Sequence, residues 1–308
     1  MSIRLIAVDI DGTLLDGRGN LPARNRRAVR RALDAGVHVV LATGRAFHHA
    51  APTAAELADD IVLIVSNGAL TKTVGGSTLA SRLLPRATAR AVLAALRPRH
   101  QGVAVIFDRP DARQYTYDGI DWRHPQRAWY YERNRAFMTR AEPIEAALTD
   151  DPVQVSYTGS VSGMRALEVD VRRLPAAGDL AITLTEYPDR DFSLLDLTAA
   201  GSSKGAALAF WARRLGIDRQ DVMAVGDNLN DREMLEFAGA PVVMGNAVAP
   251  LRARGWPLTA PHDECGLADA IERTLAGEPP GRTPASGAGR APAGARSPAA
   301  GPRPARGR

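Results

Sequence analysis

Residues 3–8 (IRLIAV), 37–43 (VHVVLAT) and 61–66 (IVLIVS) form short, nearly uninterrupted apolar runs, and no other feature constrains the fold as strongly. A strand with one wet face alternates apolar and polar residues, whereas a strand covered on both faces does not. Helical patterns lie between these runs. LPARNRRAVRRALDAG carries an apolar stripe of Ala28, Val29, Ala32 and Leu33, with Pro22 in its first turn and Gly36 as its stop. AFHHAAPTAAELA predicts the next helix. Buried strands alternating with helices predict an α/β class: a Rossmann-like three-layer core with a central parallel sheet. Ligands bind such sheets beyond the carboxyl ends of the strands. Asp9, Thr43 and Ser66 fall just past those ends.

After Asn67 the rhythm changes. ALTKTVGGSTLASRLL predicts a hairpin turning on Gly75-Gly76. From 84 to 186 the pattern is mixed: helices over 86–97, 125–134 and 160–173, and strands near 103–107, 114–117, 153–157 and 180–185. This stretch reads as an inserted α+β cap domain that selects substrate, within a discontinuous core of residues 1–83 and 187–276. The α/β rhythm resumes in KGAALAFWARRLGI (helix), VMAVGD (strand), NDREMLEFAG (helix) and PVVMGNA (strand). Seven of the sixteen aromatics, Tyr115, Tyr117, Trp122, Trp129, Tyr130, Tyr131 and Phe137, cluster within residues 115–137 of the insert. They are expected to form much of its own core, with one or two facing substrate.

The formal net charge of +5 comes from residues 277–308, which carry six arginines and one glutamate. Seven Gly, seven Pro and eight Ala in those 32 residues predict a disordered tail. Its charges are too few and too widely spaced to hold nucleic acid tightly at physiological salt, so no specific nucleic-acid partner is expected. The single cysteine, Cys265, cannot make an intrachain disulfide, and no stretch reaches membrane-spanning length. A cytoplasmic location without membrane attachment is expected. Of 39 basic residues 37 are arginine, which singles out Lys204 and Lys72; Lys72 falls on the predicted hairpin, as a surface residue whose exchange for arginine is expected to be almost silent. His48 and His49 follow Arg45 on the second helix and are expected to be an exposed pair.

Four signals recur at strand ends: DIDGT (9–13), TGR (43–45), SSKG (202–205) and GDNLND (226–231). Carboxylates gathered at one sheet edge repel each other unless a cation lies among them. Oxygen ligands without His or Cys favour Mg²⁺. Lysine and threonine beside a metal bind phosphate, and a carboxylate can attack phosphorus. The set points to phosphoryl transfer.

DIDGTLLDG, TGR, SNGA, SKGAAL and VGDNLNDREML together resemble the motifs of the haloacid dehalogenase superfamily, and more narrowly its Cof-type (HAD-IIB) phosphatases. The resemblance spans about residues 3–276. It implies a Mg²⁺-dependent phosphatase that hydrolyses small phosphomonoesters, such as sugar phosphates, through an aspartyl-phosphate. By the resemblance, Asp9 is the nucleophile and Asp11 the general acid and base. Mg²⁺ is held by Asp9, Asp227 and the main-chain carbonyl of Asp11. Ile10, Thr43, Gly44, Lys204 and Asn230 bind phosphate, with the side chain of Ile10 turned away. Gly12, Arg45, Asn67 and Asp231 support them. Two alternatives stay open: a phosphotransferase or phosphomutase using the same aspartyl-phosphate, and a non-catalytic binding protein. Asp196 and Thr198, two apart on a predicted strand, have no assigned role.

Overall fold

The computed structural model describes residues 2–100 and 102–282. The proposed disorder of 283–308 lies outside the described residues. Two sheets organise the chain. The first has seven strands in the order β13-β12-β1-β2-β3-β4-β5. These are β1 (Leu5–Val8), β2 (His38–Ala42), β3 (Val62–Val65), β4 (Leu70–Thr73), β5 (Thr78–Ser81), β12 (Val222–Gly226) and β13 (Ala240–Val243). The five strands from β13 to β3 are parallel, and β4 and β5 add an antiparallel hairpin. Every residue of β1 is fully buried, as its unbroken apolar run requires. The chain moves from β1 out through β2 and β3, then returns to the other side of β1 at β12. That reversal opens a crevice at the carboxyl ends of β1 and β12.

The second sheet has six strands in the order β10-β11-β9-β6-β7-β8. They are β6 (Val103–Ile106), β7 (Tyr115–Asp118), β8 (Met138–Arg140), β9 (Gln154–Gly159), β10 (Leu180–Tyr187) and β11 (Phe192–Ala199). All pairs are antiparallel except β7–β8. The helices are α1 (Ala23–Asp34), α2 (Phe47–Ala55), α3 (Arg86–Leu96), α4 (Pro125–Asn134), α5 (Val161–Arg172), α6 (Lys204–Arg214), α7 (Arg232–Phe237), α8 (Ala249–Arg252) and α9 (Gly266–Leu275).

Five expectations change. The sequence placed the return to the first sheet at 187, but β11 pairs with β9 and β10, so the chain leaves the second sheet only after Ala199. The predicted tail began at 277, yet Arg282 exchanges backbone hydrogen bonds with Leu258, at 2.8 and 2.9 Å. None of those seven aromatics joins the core that packs α3 and α5 against the second sheet. That core is made by residues such as Leu84, Val92, Val105, Tyr157, Leu167 and Leu195. Tyr115, Tyr117, Trp122, Tyr130 and Tyr131 instead join the cluster that contains Ile6, Val8, Leu41 and Ala50 of the first unit. Two of them reach across to the first unit: Tyr115 and Tyr130 each lie 6.3 Å, centre to centre, from the His48 ring of α2. Lys72 is not a surface residue of the hairpin: it is 5% exposed and paired with Asp108, which follows β6. Its ammonium also donates to Thr78 Oγ1 at 2.8 Å and lies 4.9 Å from the centre of the Phe47 ring.

His48 is the fifth. It is 4% exposed and docks α2 into the second unit. Nδ1 lies 2.8 Å from Gln114 Oε1, and Nε2 lies 3.1 Å from the Tyr130 hydroxyl. A neutral ring satisfies both: Nδ1–H donates to Gln114 and Nε2 accepts from Tyr130. The ring also stacks on Phe137 at 5.2 Å. His49 packs edge-on to Tyr130 at 5.1 Å. Burial lowers the pKa of His48 to about 4 and that of His49 to about 3. A depressed histidine pKa contributes stability above the unfolded value of 6.5 and loses it as pH falls towards the folded value. The protein should therefore lose roughly 5 °C or more of Tm between pH 7 and pH 4.5. His48→Phe, followed by thermal melts across that range, should start lower at pH 7 and fall less. An unchanged slope would remove His48 from the account.

Candidate active site

The first turn after β1 sets the site. The Asp9 amide donates to Val225 O of β12 at 3.0 Å, extending the sheet by one residue. The chain then bends through Ile10–Leu14, with Gly12 at φ +83°. A Cβ on Gly12 would lie 2.4 Å from Asp227 Oδ2, so only glycine lets the two loops meet. The side chain of Ile10 is buried in the core, which leaves only its main chain to face the crevice.

Lys204 is the first residue of α6, where the helix dipole disfavours a cation. Two carboxylates offset that: Nζ lies 2.6 Å from Asp9 Oδ1 and 2.6 Å from Asp231 Oδ1. Lys204 and Asp231 are almost wholly buried, and Asp9 is 4% exposed. Burial works against the ammonium, but Asp231 and Asp9 outweigh it and raise its pKa. The second oxygen of Asp231 accepts from the amides of Asp227 and Asn228, both at 2.9 Å. Asp231 is thus fully engaged in holding Lys204 and the loop after β12.

Asp9, Asp227 and Asp231 offer carboxylate oxygens that all lie within 4.8 Å of one another. One lysine faces three carboxylates. Burial, then Asp231 and Asp11, push the Asp9 carboxyl up to about 7, against the pull of Lys204. Burial, Asp9 and Asp231 raise Asp227 well above its ordinary value. In both, burial of the charge comes first and the neighbouring carboxylates add to it. With Asp231 spoken for, Asp9 and Asp227 are the carboxylates left to hold a divalent ion, and their oxygens suit a hard one. Thr13 Oγ1 donates to Asp227 Oδ1 at 3.4 Å. Asn246 Nδ2 donates to Gly12 O at 2.9 Å and approaches Asp227 Oδ2 at 3.5 Å, which ties both loops from β13's side.

Asp11 stands apart from this cluster. Arg45 grips it with two bonds, Nε to Oδ2 at 2.8 Å and Nη2 to Oδ1 at 2.6 Å. Surrounding protein disfavours its charge, but the guanidinium outweighs that and holds the carboxyl below its ordinary value. The expected metal role of Asp11 therefore cannot use its carboxylate in this arrangement and is left to its main-chain oxygen.

The phosphate-binding expectations gather around the end of β2. The Thr43 amide donates to Ile64 O at 2.8 Å, and its hydroxyl accepts from the Arg45 amide at 3.1 Å. A Cβ on Gly44 would lie 3.1 Å from Asn67 Oδ1, so Asn67 packs directly against that glycine. Asn230 Nδ2 donates to Asn67 Oδ1 at 3.0 Å. Asp9, Thr43, Gly44, Asn67, Lys204, Asp227, Asn230 and Asp231 thus line one crevice, with Asp11 and Arg45 at its rim.

Three residues near this crevice had no sequence assignment. Asn246 sits in MGNA just past β13, and its place beyond a strand end was the available signal. Tyr187 ends β10, and burial, followed by the nearby charges of Asp11, Asp9 and Asp227, raises its pKa. It comes from the second sheet, so no local pattern could bring it to the site. Asp196 on β11 reaches Asn67.

A family model described as haloacid dehalogenase-like hydrolase matches residues 6–271. The 5-amino-6-(5-phospho-D-ribitylamino)uracil phosphatase YwtE of Bacillus subtilis is 27% identical over 298 residues, covering 90% of this chain and 99% of that protein. The pyridoxal phosphate phosphatase YbhA of Escherichia coli is 30% identical over 270 residues, covering 82% of this chain and 92% of that protein. Among solved structures, a haloacid dehalogenase-like hydrolase from Bacteroides thetaiotaomicron superposes with a TM-score of 0.75 at 25% identity, over 88% of this chain and 99% of that one.

Proposed function

The chain belongs to the haloacid dehalogenase-like hydrolases, and on that premise we propose that it is a Mg²⁺-dependent phosphatase of small phosphomonoesters. The observation that carries the proposal is the buried triad Asp9–Lys204–Asp231 beside Asp227 at the end of β1. Asp9 keeps one oxygen on Lys204, which leaves the other for chemistry. In this reading that oxygen attacks phosphorus, and the P–O bond to the leaving group breaks. Asp11 gives its proton to the departing oxygen. Arg45 must first loosen its grip, because a carboxylate held ionised has no proton to give. Asp11 then takes a proton from water, whose oxygen attacks the phosphoryl group and frees Asp9 and inorganic phosphate. Lys204, Thr43 and the Gly44 amide neutralise charge on the transferring oxygens. Mg²⁺ held by Asp9 and Asp227 would add positive charge where that negative charge develops.

The insert, extended to Ala199, serves in this reading as the unit that selects substrate, and its Tyr187 lies close enough to Asp11, Asp9 and Asp227 to feel their charge. The relatives' names, a phosphoribitylamino-uracil and pyridoxal phosphate, support a phosphorylated metabolite with a ring. Among the described residues no helix is long and apolar enough to cross a membrane.

Turnover should require Mg²⁺ and disappear with EDTA. Ca²⁺ should inhibit, because its larger and looser shell misplaces an in-line attack. Free phosphate released from a panel of phosphometabolites, with no acceptor present, measures this and separates hydrolysis from transfer. Full activity in metal-free buffer would overturn the grouping of Asp9 with Asp227.

A further inference from the structure

Asp196 is 4% exposed on β11, in the second sheet, a few residues before the SSKG motif that carries Lys204. Three donors converge on it. Ser156 Oγ and Gln154 Nε2 donate to Oδ1 at 2.6 and 2.7 Å, and Asn67 Nδ2 donates to Oδ2 at 3.3 Å. Ser156 and Gln154 lie on β9 of the same sheet, but Asn67 belongs to the turn after β3. The backbone of Asn67 is left-handed, at φ +52° and ψ +35°. That side chain touches Gly44 and accepts from Asn230.

A carboxylate is an acceptor only, while an amide can face either way. With its NH₂ held by Asp196, Asn67 must present its oxygen to Asn230. Asn230 must in turn spend an N–H on Asn67. One acceptor-only group thereby fixes the sense of two successive amides, the second of them at the phosphate-binding crevice.

We propose that Asp196 is a positioning residue that couples the second sheet to phosphate binding through Asn67, which orients Asn230 and supports the Gly44 turn. This rests on the phosphatase reading for its consequence in turnover, but the relay acts on phosphate binding itself. An ordinary role, fastening β11 to β9, is already served by Ser156 and Gln154 and does not need Asn67. Burial pushes the Asp196 carboxyl up to about 6 while its three donors pull it down. An amide there would set its own N–H against a donor from Asn67 or from β9 and release the fixed sense of the chain.

The test is a double-mutant cycle on the full chain with Asp196→Asn and Asn67→Gly. Glycine keeps the left-handed backbone of Asn67 while removing the amide. The dissociation constant of inorganic phosphate with Mg²⁺ present is measured by calorimetry, with p-nitrophenyl phosphate turnover and Tm alongside. Each single variant should weaken phosphate roughly fivefold or more, and the double variant should be no weaker than Asn67→Gly, as expected for residues in one network. Asp196→Asn lowering Tm alone, or the two effects multiplying, overturns the relay. Should Asp196→Asn fail to fold, an unchanged phosphate constant in Asn67→Gly overturns it equally. A wild-type protein that binds phosphate but hydrolyses no phosphomonoester counts against the phosphatase reading and leaves the relay standing on its binding data.

Discussion

Asp9→Asn should lower kcat/KM by at least about 10³-fold, within the range set for one positioned catalytic group, while the protein keeps its fold. The amide can retain the bond from Lys204, because its oxygen can occupy the place of Oδ1. The other oxygen becomes NH₂, which cannot attack phosphorus or hold a cation as an anion. The same substitution should leave a signature in stability. Burial raises the Asp9 pKa to about 7. A carboxyl raised in the folded state favours folding at low pH, and that contribution is lost as pH climbs from the unfolded value of 3.8 through 7. In metal-free buffer the variant should therefore gain Tm relative to wild type between pH 5 and pH 8. Steady-state assays and melts at both values check the two halves. More than about a hundredth of wild-type activity in the variant, against the ~10²–10⁴-fold expected, would sink the nucleophile assignment.

Lys204→Arg, which keeps the charge, should cost roughly 10²-fold in kcat/KM, the scale of a misplaced group in a site that depends on orientation. Lys204 is 1% exposed, and its ammonium sits 2.6 Å from oxygens of two different carboxylates. A planar guanidinium is wider and cannot occupy a point between them. Forcing it in should also cost about 1–3 kcal/mol of stability by overpacking. Lys72 makes an informative contrast. Its ammonium pairs with Asp108 and Thr78 over the Phe47 ring, away from the crevice. Lys72→Arg was expected to be silent from sequence, but its burial now predicts a lower Tm with kcat/KM within roughly threefold of wild type, since only folding is touched. Equal losses of kcat/KM in the two variants, at matched Tm, would reduce Lys204 to a structural lysine.

Comparing these two lysines shows where sequence reading stops. Both stood out by rarity, and rarity cannot tell a catalytic ammonium from a structural one. Both are buried ion pairs, and what separates them is which carboxylates they meet. Lys204 falls in a strand-end motif that belongs, with those of Asp9 and Asp231, to one recognisable set. Lys72 meets Asp108, which belongs to no motif.

What the sequence determined by itself was local. An apolar run buried on both faces can only be a covered strand, so IRLIAV, VHVVLAT and IVLIVS already dictated the parallel sheet and put Asp9 and Thr43 at its carboxyl edge. The glycine pair at 75 and 76 dictated the β4–β5 hairpin, and the spacing around Lys204 dictated the start of α6. Only the tertiary structure decided the rest. β11 joins the second sheet because its partners, β9 and β10, precede it, and a strand's own residues do not name the strand it pairs with. His48 is buried and neutral because Gln114 and Tyr130 reach it across 66 and 82 residues. Asp11 is gripped by Arg45, which no spacing rule foretells. Asp196 acquires a task only when the turn carrying Asn67 arrives beneath it. In each case a polar side chain was legible as a chemical type, but its burial and charge state were set by partners that folding alone brought within hydrogen-bond distance.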